Sequence, residues 1–419
     1  MKEKQNKIDR RNFLKTIGVA GLGSVFASAQ TKAGLNDPNA PEKTQEPKFP
    51  QVPRRKLGKT GVEVPCLALG AMFNIVDNKI ILRSTLQWGV NYWDTANSYA
   101  GGNSELGIGK YLSKNPEARK NLFIVTKASG ARKKPTPKTV VAAVEDRLQT
   151  SLKRMNTNYI DLYYGVHGLR DPSQLNNELK QWAKDAKKQG LIRLFGFSTH
   201  RNMTRCLAAA AKLDWIDAIM TSYNFRLMQD KELNAAIDAC HKAGIGLIAM
   251  KTQGSGQKIK TDEDKKLAGH FLQRGFTEAQ AKIKVVLEDK RFSSACVGME
   301  NVAVLTSNAA AVLDKTRFTQ EDMDAFKRYA EATCSGYCAG CAYICDSALP
   351  DVPYVSSIMR YLMYYNSYGH KDRARELFAQ IPVNVRSKLL TTDYRLAETR
   401  CPQRMPIGKL VAEAVRKLA

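Results

Sequence analysis

The chain runs to 419 residues, 43% of them hydrophobic and 25% charged, with a formal net charge of +25. That length exceeds the roughly 250 residues of one barrel domain, and the composition supports a sizeable core, which excludes disordered and collagen-like classes. The basic residues are scattered over predicted helix surfaces and form no nucleic-acid-binding motif, so a solvated basic body is expected and no nucleic-acid partner.

The chain opens on an address. Residues 9–15 read DRRNFLK, a short Gly- and Ala-rich apolar run occupies 16–26, and Ala27-Ser28-Ala29 supplies a small-x-small cleavage pattern. The apolar run is too short to span a bilayer. These features in this order resemble a twin-arginine signal over residues 1–29, which implies delivery of a folded protein to the periplasm by the twin-arginine translocase. Residues 30–52, with Pro38, Pro41, Pro47 and Pro50 among polar side chains, read as a flexible linker.

From residue 53 short β-rich runs alternate with longer helical patterns. The runs fall at 64–70, 91–95, 122–127, 159–167, 193–198, 218–223, 246–251 and 293–298, and eight is the number that closes a parallel βα barrel. Between them, Val140, Val141, Val144, Leu148 and Leu152 share a helical face, as do Leu233, Ala236, Ile237 and Cys240. A doubly wound sheet is disfavoured because GxGxxG is absent after the first strand, where the chain reads Gly70-Ala71-Met72-Phe73. The predicted architecture is a (β/α)8 TIM barrel over residues 53–317. Its C-terminal rim then collects Asp94, Tyr99, Lys127 and His167, four side chains able to move or bias a proton.

The stretches RRKLGKTGVEVPCLALGAMF, DTANSYAGGNSELGIGKYL, IVTKAS, YIDLYYGVH, GLIRLFGFSTH, SYNF, GLIAMK and VGMENV, in this order over residues 53–310, resemble the aldo-keto reductase family. The resemblance implies interconversion of a carbonyl and an alcohol on a small substrate such as a sugar or aldehyde, with NAD or NADP as hydride carrier. Tyr99 would be the proton donor or acceptor, Lys127 and Asp94 its tuners, and His167 the group that orients the carbonyl. For the cofactor it implies Ser198 at the carboxamide and Tyr223 against the nicotinamide. Lys251 with the glycines after it would face the pyrophosphate, and Gly298, Glu300 and Asn308 the adenosine half. The family's other carboxamide ligands are replaced by Thr199 and Met220, and its phosphate-binding arginine falls on Asn301 beside Glu300. A carboxylate there favours a free ribose 2′-hydroxyl, so NAD is as credible as NADP.

Cys66, Cys206, Cys240 and Cys296 sit in apolar patterns as core residues, whereas Cys334, Cys338, Cys341, Cys345 and Cys401 cluster in the last fifth of the chain. Residues 318–419 read as helical, at 320–332, 355–368, 373–380 and 407–418. Closely spaced thiolates suit an iron–sulfur cube, with zinc or disulfides as the competing uses. This tail resembles the ferredoxin-like extension of one branch of the aldo-keto reductases, which carries two CxxCxxCxxxCP motifs. In the second motif the first three cysteines fall on Thr391, Tyr394 and Ala397, leaving Cys401-Pro402. The resemblance therefore implies one 4Fe-4S cluster on Cys334, Cys338, Cys341 and Cys401, with Cys345 as the alternative fourth ligand, and a redox partner protein. An electron-relay or binding module on the same scaffold is the alternative function.

Overall fold

The computed structural model describes residues 49–254 and 261–419. The expected signal and most of the linker lie outside the described residues, as do Ser255 and Gly256 of the loop after Lys251. Among the described residues no helix is long and apolar enough to cross a membrane.

The first expected strand divides in two. Strands β1 (Arg54–Lys56) and β2 (Glu63–Pro65) pair antiparallel, and the chain then enters β3 (Leu67–Gly70). This hairpin floors the barrel: Leu57 and Val64 join the interior core of Ala68, Tyr92, Val125, Leu162 and Ile248. Arg55 fastens it, donating from Nη1 to Phe292 O at 2.8 Å and from Nη2 to Leu287 O at 2.6 Å.

Strands β3, β4 (Tyr92–Asp94), β5 (Phe123–Lys127), β6 (Ile160–Leu169), β7 (Ile192–Thr199), β8 (Ala218–Ser222), β9 (Gly246–Met250) and β10 (Phe292–Gly298) are parallel. They close in the order β10-β3-β4-β5-β6-β7-β8-β9. Strands buried on both faces read as near-continuous apolar runs, which is why these segments are legible without an alternating pattern. The helices bind by the faces their periodicity marks. In α3 (Pro137–Met155) Val144, Leu148 and Leu152 are buried, and the Thr136 and Thr139 side chains form a reciprocal cap at its start. In α6 (Lys231–Lys242) Leu233, Ala236, Ile237 and Cys240 are buried, with Asp230 accepting from Leu233 N at 3.0 Å. The other barrel helices are α1 (Ile80–Gln87), α2 (Asn103–Lys114), α4 (Asn177–Lys188), α5 (Met203–Ala210), α7 (Asp262–Gln273), α8 (Glu278–Glu288) and α9 (Val302–Leu313).

After α9 the regular elements are all helical, beginning with α10 (Gln320–Ala332), α11 (Ala342–Ala348), α12 (Val355–Asn366) and α13 (Lys371–Ala379). The short α14 (Val383–Arg386) and α15 (Arg395–Arg400) precede α16 (Ile407–Leu418). This tail has its own core of Val352, Ile358, Leu362, Phe378, Leu389 and Val411. It nevertheless forms one compact unit with the barrel, Phe49–Ala419. The reason is a set of contacts with the C-terminal rim. Arg226 Nη2 donates to Thr333 Oγ1 at 2.7 Å, Asn224 Nδ2 to the Tyr337 hydroxyl at 2.9 Å, Asn202 N to Gly340 O at 2.8 Å and Arg201 Nη1 to Ser357 Oγ at 2.6 Å. Gly340 makes the closest approach: its φ is +84°, and a Cβ there would stand 2.4 Å from His200 O.

Candidate active site

Asp94 ends β4, Lys127 ends β5 and His167 lies near the end of β6, so parallel register alone brings three of the four groups to one rim. Tyr99 reaches it from a loop of unusual backbone. Ala100, Gly101 and Gly102 follow it with φ of 48°, 65° and 102°, so a non-glycine residue occupies the left-handed region immediately beside the phenol. Arg154 pins that loop, donating from Nη1 to Asn97 O at 2.7 Å and to Glu105 at 3.2 Å. Glu105 is itself fully buried and accepts from Thr126 Oγ1 at 2.7 Å.

Lys127 is 1% exposed, donates to Asp94 and to Thr95 O (2.6 Å), and holds its ammonium 5.0 Å from the centroid of the Tyr99 ring. Burial opposes the lysine's charge, but Asp94 and Tyr99 more than offset it and its pKa ends above the ordinary value. Burial raises the Asp94 carboxyl above its ordinary range, and the contact with Lys127 draws it only part of the way back. Burial raises the Tyr99 phenol to about 12 despite the attraction of Lys127. The His167 ring lies 6.0 Å from that of Tyr99, edge to face. Desolvation, with Lys127, Arg132 and Lys251 nearby, holds the imidazole well below its usual pKa, so it is neutral.

Two serines that the sequence reading left out set the tautomer. Ser98 Oγ donates to Ser129 Oγ at 2.8 Å, which leaves the Ser129 hydrogen for His167 Nδ1, 2.7 Å away. Ser129 N also donates to Asn97 Oδ1 at 3.0 Å. With Ser129 donating to Nδ1, the neutral ring carries its proton on Nε2, the form that donates to a carbonyl oxygen. Nothing in the strand periodicity signals this linkage; only the pairing of two loops creates it. Cys296, expected as a core residue, also stands beside Asp94, where burial keeps its thiol protonated.

The expected dinucleotide residues fare unevenly. At the adenosine end, among the described residues, Gly298 has nothing within 4 Å of an added Cβ, Glu300 is exposed, and the buried Asn308 Nδ2 has no partner. Asn301 caps α9, its Oδ1 accepting from Val304 N at 3.0 Å. The nicotinamide end does not match. Tyr223 is 1% exposed, its ring stacked on Phe292 at 4.3 Å and its hydroxyl donating to Asp289 at 2.6 Å, so it presents no free face. At the end of β8, Phe292 and the Asp289–Arg291 pair satisfy both the apolar body of this ring and its hydroxyl. Ser198 Oγ accepts from Gly168 N at 3.1 Å and Thr199 Oγ1 is spent on Leu169 O at 2.9 Å. Lys251, at φ 57°, faces the tail, with Nζ 3.4 Å from the Tyr364 hydroxyl. Among the described residues, Gly298, Glu300 and Asn308 are thus open toward the adenosine side, and Tyr223 is engaged by Phe292 and Asp289.

Helix α12 lies across the mouth. Ser357, Arg360 and Tyr364 share one face of it, meeting Arg201, His200 O (3.4 Å from Arg360 Nη2) and Lys251 in turn. Behind that helix, Cys338, Cys341, Cys345 and Cys401 line a common cavity with Met359, Pro402 and Met405; about 380 Å³ of atom-free space lies in it, part of it open to solvent. Cys334 does not line it. Of the expected ligands, Cys338, Cys341 and Cys401 line it together with the alternative Cys345. Residues up to Tyr337 are anchored to the rim by Arg226 and Asn224, and the chain turns into the tail only at Gly340. Cys341 precedes α11 and Cys345 lies one turn on, so the two thiols share a side. Burial raises both to about 12. Four soft thiols around one cavity are a fitting donor set for a metal centre, although among the described residues no three of them stand close enough together to ligate as placed.

A family model described as the Aldo/keto reductase family matches residues 70–331. The chain belongs to that family. It is 25% identical over 249 residues to Aldo-keto reductase AFTS1 of Alternaria alternata, covering 50% of this chain and 68% of that protein. It is 24% identical over 323 residues to the L-glyceraldehyde 3-phosphate reductase of Escherichia coli K12, covering 65% of this chain and 91% of that one. Among solved structures, the holo form of aldo-keto reductase AKR11C1 from Bacillus halodurans superposes with a TM-score of 0.54 at 22% identity, covering 67% of this chain and 96% of that chain. Aldo-keto reductases are oxidoreductases of carbonyl and alcohol groups and depend in general on NAD(P), so this chain has the barrel of a redox family.

Proposed function

We propose that this aldo-keto reductase is an exported, periplasmic oxidoreductase that interconverts a carbonyl and an alcohol on a small substrate, a sugar or an aldehyde. Tyr99 serves as its general acid/base and the cysteine-lined cavity as the seat of a single 4Fe-4S cluster. Residues 53–317 are the catalytic barrel and 318–419 the cluster-bearing part. The observation that carries the reading is the buried Asp94–Lys127 pair set beside Tyr99, with a neutral His167 opposite.

A nicotinamide dinucleotide, NAD or NADP, would supply or accept the hydride when bound, with Gly298, Glu300 and Asn308 toward its adenosine half. The chain's own residues handle the proton. In reduction the phenol of Tyr99 gives its hydrogen to the carbonyl oxygen, and the Lys127 ammonium stabilises the phenolate left behind. His167 Nε2–H donates to the same oxygen and fixes its position. The thiols behind α12 would hold the cluster, which would exchange electrons with a redox partner protein.

The test is Tyr99→Phe in the full-length protein. Turnover of an aldehyde panel falls by about 10²- to 10⁴-fold while dinucleotide affinity changes little; unchanged turnover removes Tyr99 from the reaction. Export is read separately by fractionation of cells carrying Arg10→Lys with Arg11→Lys, which retains the protein in the cytoplasm. The committed ring of Tyr223 favours a second reading, a binding or electron-relay module. Absence of released dinucleotide after denaturation, with no hydride exchange, would select it.

A further inference from the structure

The loop that carries Tyr99 is strained. Ala100, Gly101 and Gly102 stand at φ of 48°, 65° and 102°, and at Ala100 a residue with a Cβ occupies the left-handed region. Backbone in so sparsely populated a region persists only where the surrounding structure over-determines it. Part of that surrounding structure is the guanidinium of Arg154, from the last turn of α3. It packs so closely on the loop that a Cβ added at Gly102 would lie 2.8 Å from Arg154 Cζ.

Arg154 is also the middle of a continuous chain of hydrogen bonds. Thr126 Oγ1 donates to Glu105 Oε1 at 2.7 Å, and Arg154 Nη1 is shared between Glu105 Oε2 at 3.2 Å and Asn97 O at 2.7 Å. Asn97 in turn donates from its backbone N to Lys127 O at 3.4 Å and accepts at Oδ1 from Ser129 N at 3.0 Å. Thr126 precedes Lys127 in β5, Asn97 lies two residues before Tyr99, and Ser129 Oγ is 2.7 Å from His167 Nδ1. One chain of contacts thus ties the strand bearing the ammonium to the loop bearing the phenol and to the imidazole. Glu105 and Thr126 are fully buried, and a buried carboxylate is tolerated only where its cation and its hydroxyl donor are both in place.

We infer that Arg154, bridged to Glu105 and Thr126, is a positioning residue of the reaction: it fixes the loop of Tyr99 relative to β5 and so sets the 5.0 Å between the phenol ring and the Lys127 ammonium. This deepens the reading above and rests on it for the role of Tyr99 in proton transfer. The hold of an ammonium on a phenolate weakens with distance, and a proton is passed only between atoms about 3 Å apart. A loop displaced by about 1 Å therefore loses rate while substrate and dinucleotide still bind, so the role is read in kcat and hardly in KM.

The experiment compares Arg154→Met, Arg154→Lys and Thr126→Val with wild type in the full-length protein. It uses steady-state reduction of an aldehyde panel, and NMR of protein carrying ring-labelled tyrosine, with the Tyr99 signal assigned by its loss in Tyr99→Phe. In Arg154→Met kcat falls about 10- to 100-fold, KM and dinucleotide affinity stay within about threefold, and the Tyr99 signal leaves its wild-type position. Arg154→Lys keeps the charge and recovers part of both. Thr126→Val takes away only the hydroxyl at the far end of the chain; it shows the same two changes at smaller size, with kcat down about threefold or more, and it decides the matter if Arg154→Met does not fold. Lys153→Met, an exposed neighbour on α3, changes neither reading. A lower melting temperature with kcat and the Tyr99 signal at wild-type values makes Arg154 structural only and overturns the proposal, as does a rise in KM alone. The signal is read without turnover, so failure of the Tyr99 chemistry and failure of the positioning role are separate results.

Discussion

Replacing Lys127 with methionine keeps the stem's bulk and removes one charge from beneath Tyr99. At 5.0 Å from the ring centroid, and with an effective dielectric of about 20, that charge is worth roughly 3 kcal/mol to the phenolate, or about 2 pKa units. Tyr99 already stands at about 12, so the variant's phenol moves higher and its phenolate at a given pH falls about 100-fold. Alcohol oxidation should fall by at least that factor. The same change leaves Asp94 buried without its cation, for a destabilisation of about 3–5 kcal/mol at pH 8. An acid whose folded pKa is raised binds its proton more tightly when folded, so its charged form costs stability as pH rises through that pKa and the loss is relieved on acidification. Urea unfolding of Lys127→Met should therefore recover part of the deficit between pH 8 and pH 5.5, relative to wild type over the same interval. A loss below about 1 kcal/mol, or one equal at both pH values with oxidation unaffected, would refute the buried ion pair as the tuner of Tyr99.

With the Tyr99 phenol at about 12, wild-type alcohol oxidation should rise about tenfold per pH unit from pH 7 to 10 while carbonyl reduction stays level, since the protonated phenol predominates throughout; stopped-flow rates in both directions check this. Metal analysis of anaerobically purified protein separates the cysteines: Cys345→Ser or Cys401→Ser should lose iron and sulfide, and Cys334→Ser should keep both. Gly340→Ala puts a methyl 2.4 Å from His200 O at φ +84°, so the tail should loosen from the rim at a cost of about 2–3 kcal/mol, read as faster proteolysis after residue 333 with the barrel still folded.

The contrast between the two cysteine assignments shows where sequence reasoning stops. Cys338 and Cys341 share the cavity with a short local spacing between them, and Cys341 and Cys345 differ by one helical turn, a relation visible only once α11 is known to start there. Cys334 sits at an equally plausible spacing, yet Arg226 and Asn224 hold its neighbours on the barrel. Tyr223 is a similar case. Its place at a strand end was legible, whereas the direction of its ring depended on Phe292 and Asp289 from another element.

What the amino-acid sequence determined by itself is the eight-stranded frame and the rim positions of Asp94, Lys127 and His167, with Tyr99 just beyond. Strand ends are local features, and parallel closure brings local ends to one level. Only the tertiary structure decided that Ser129 meets His167, that Cys345 lines the cysteine cavity while Cys334 does not, and that α12 crosses the mouth. Each of these depends on side chains meeting from distant segments, and the chain's periodicity carries no record of which distant segments will touch.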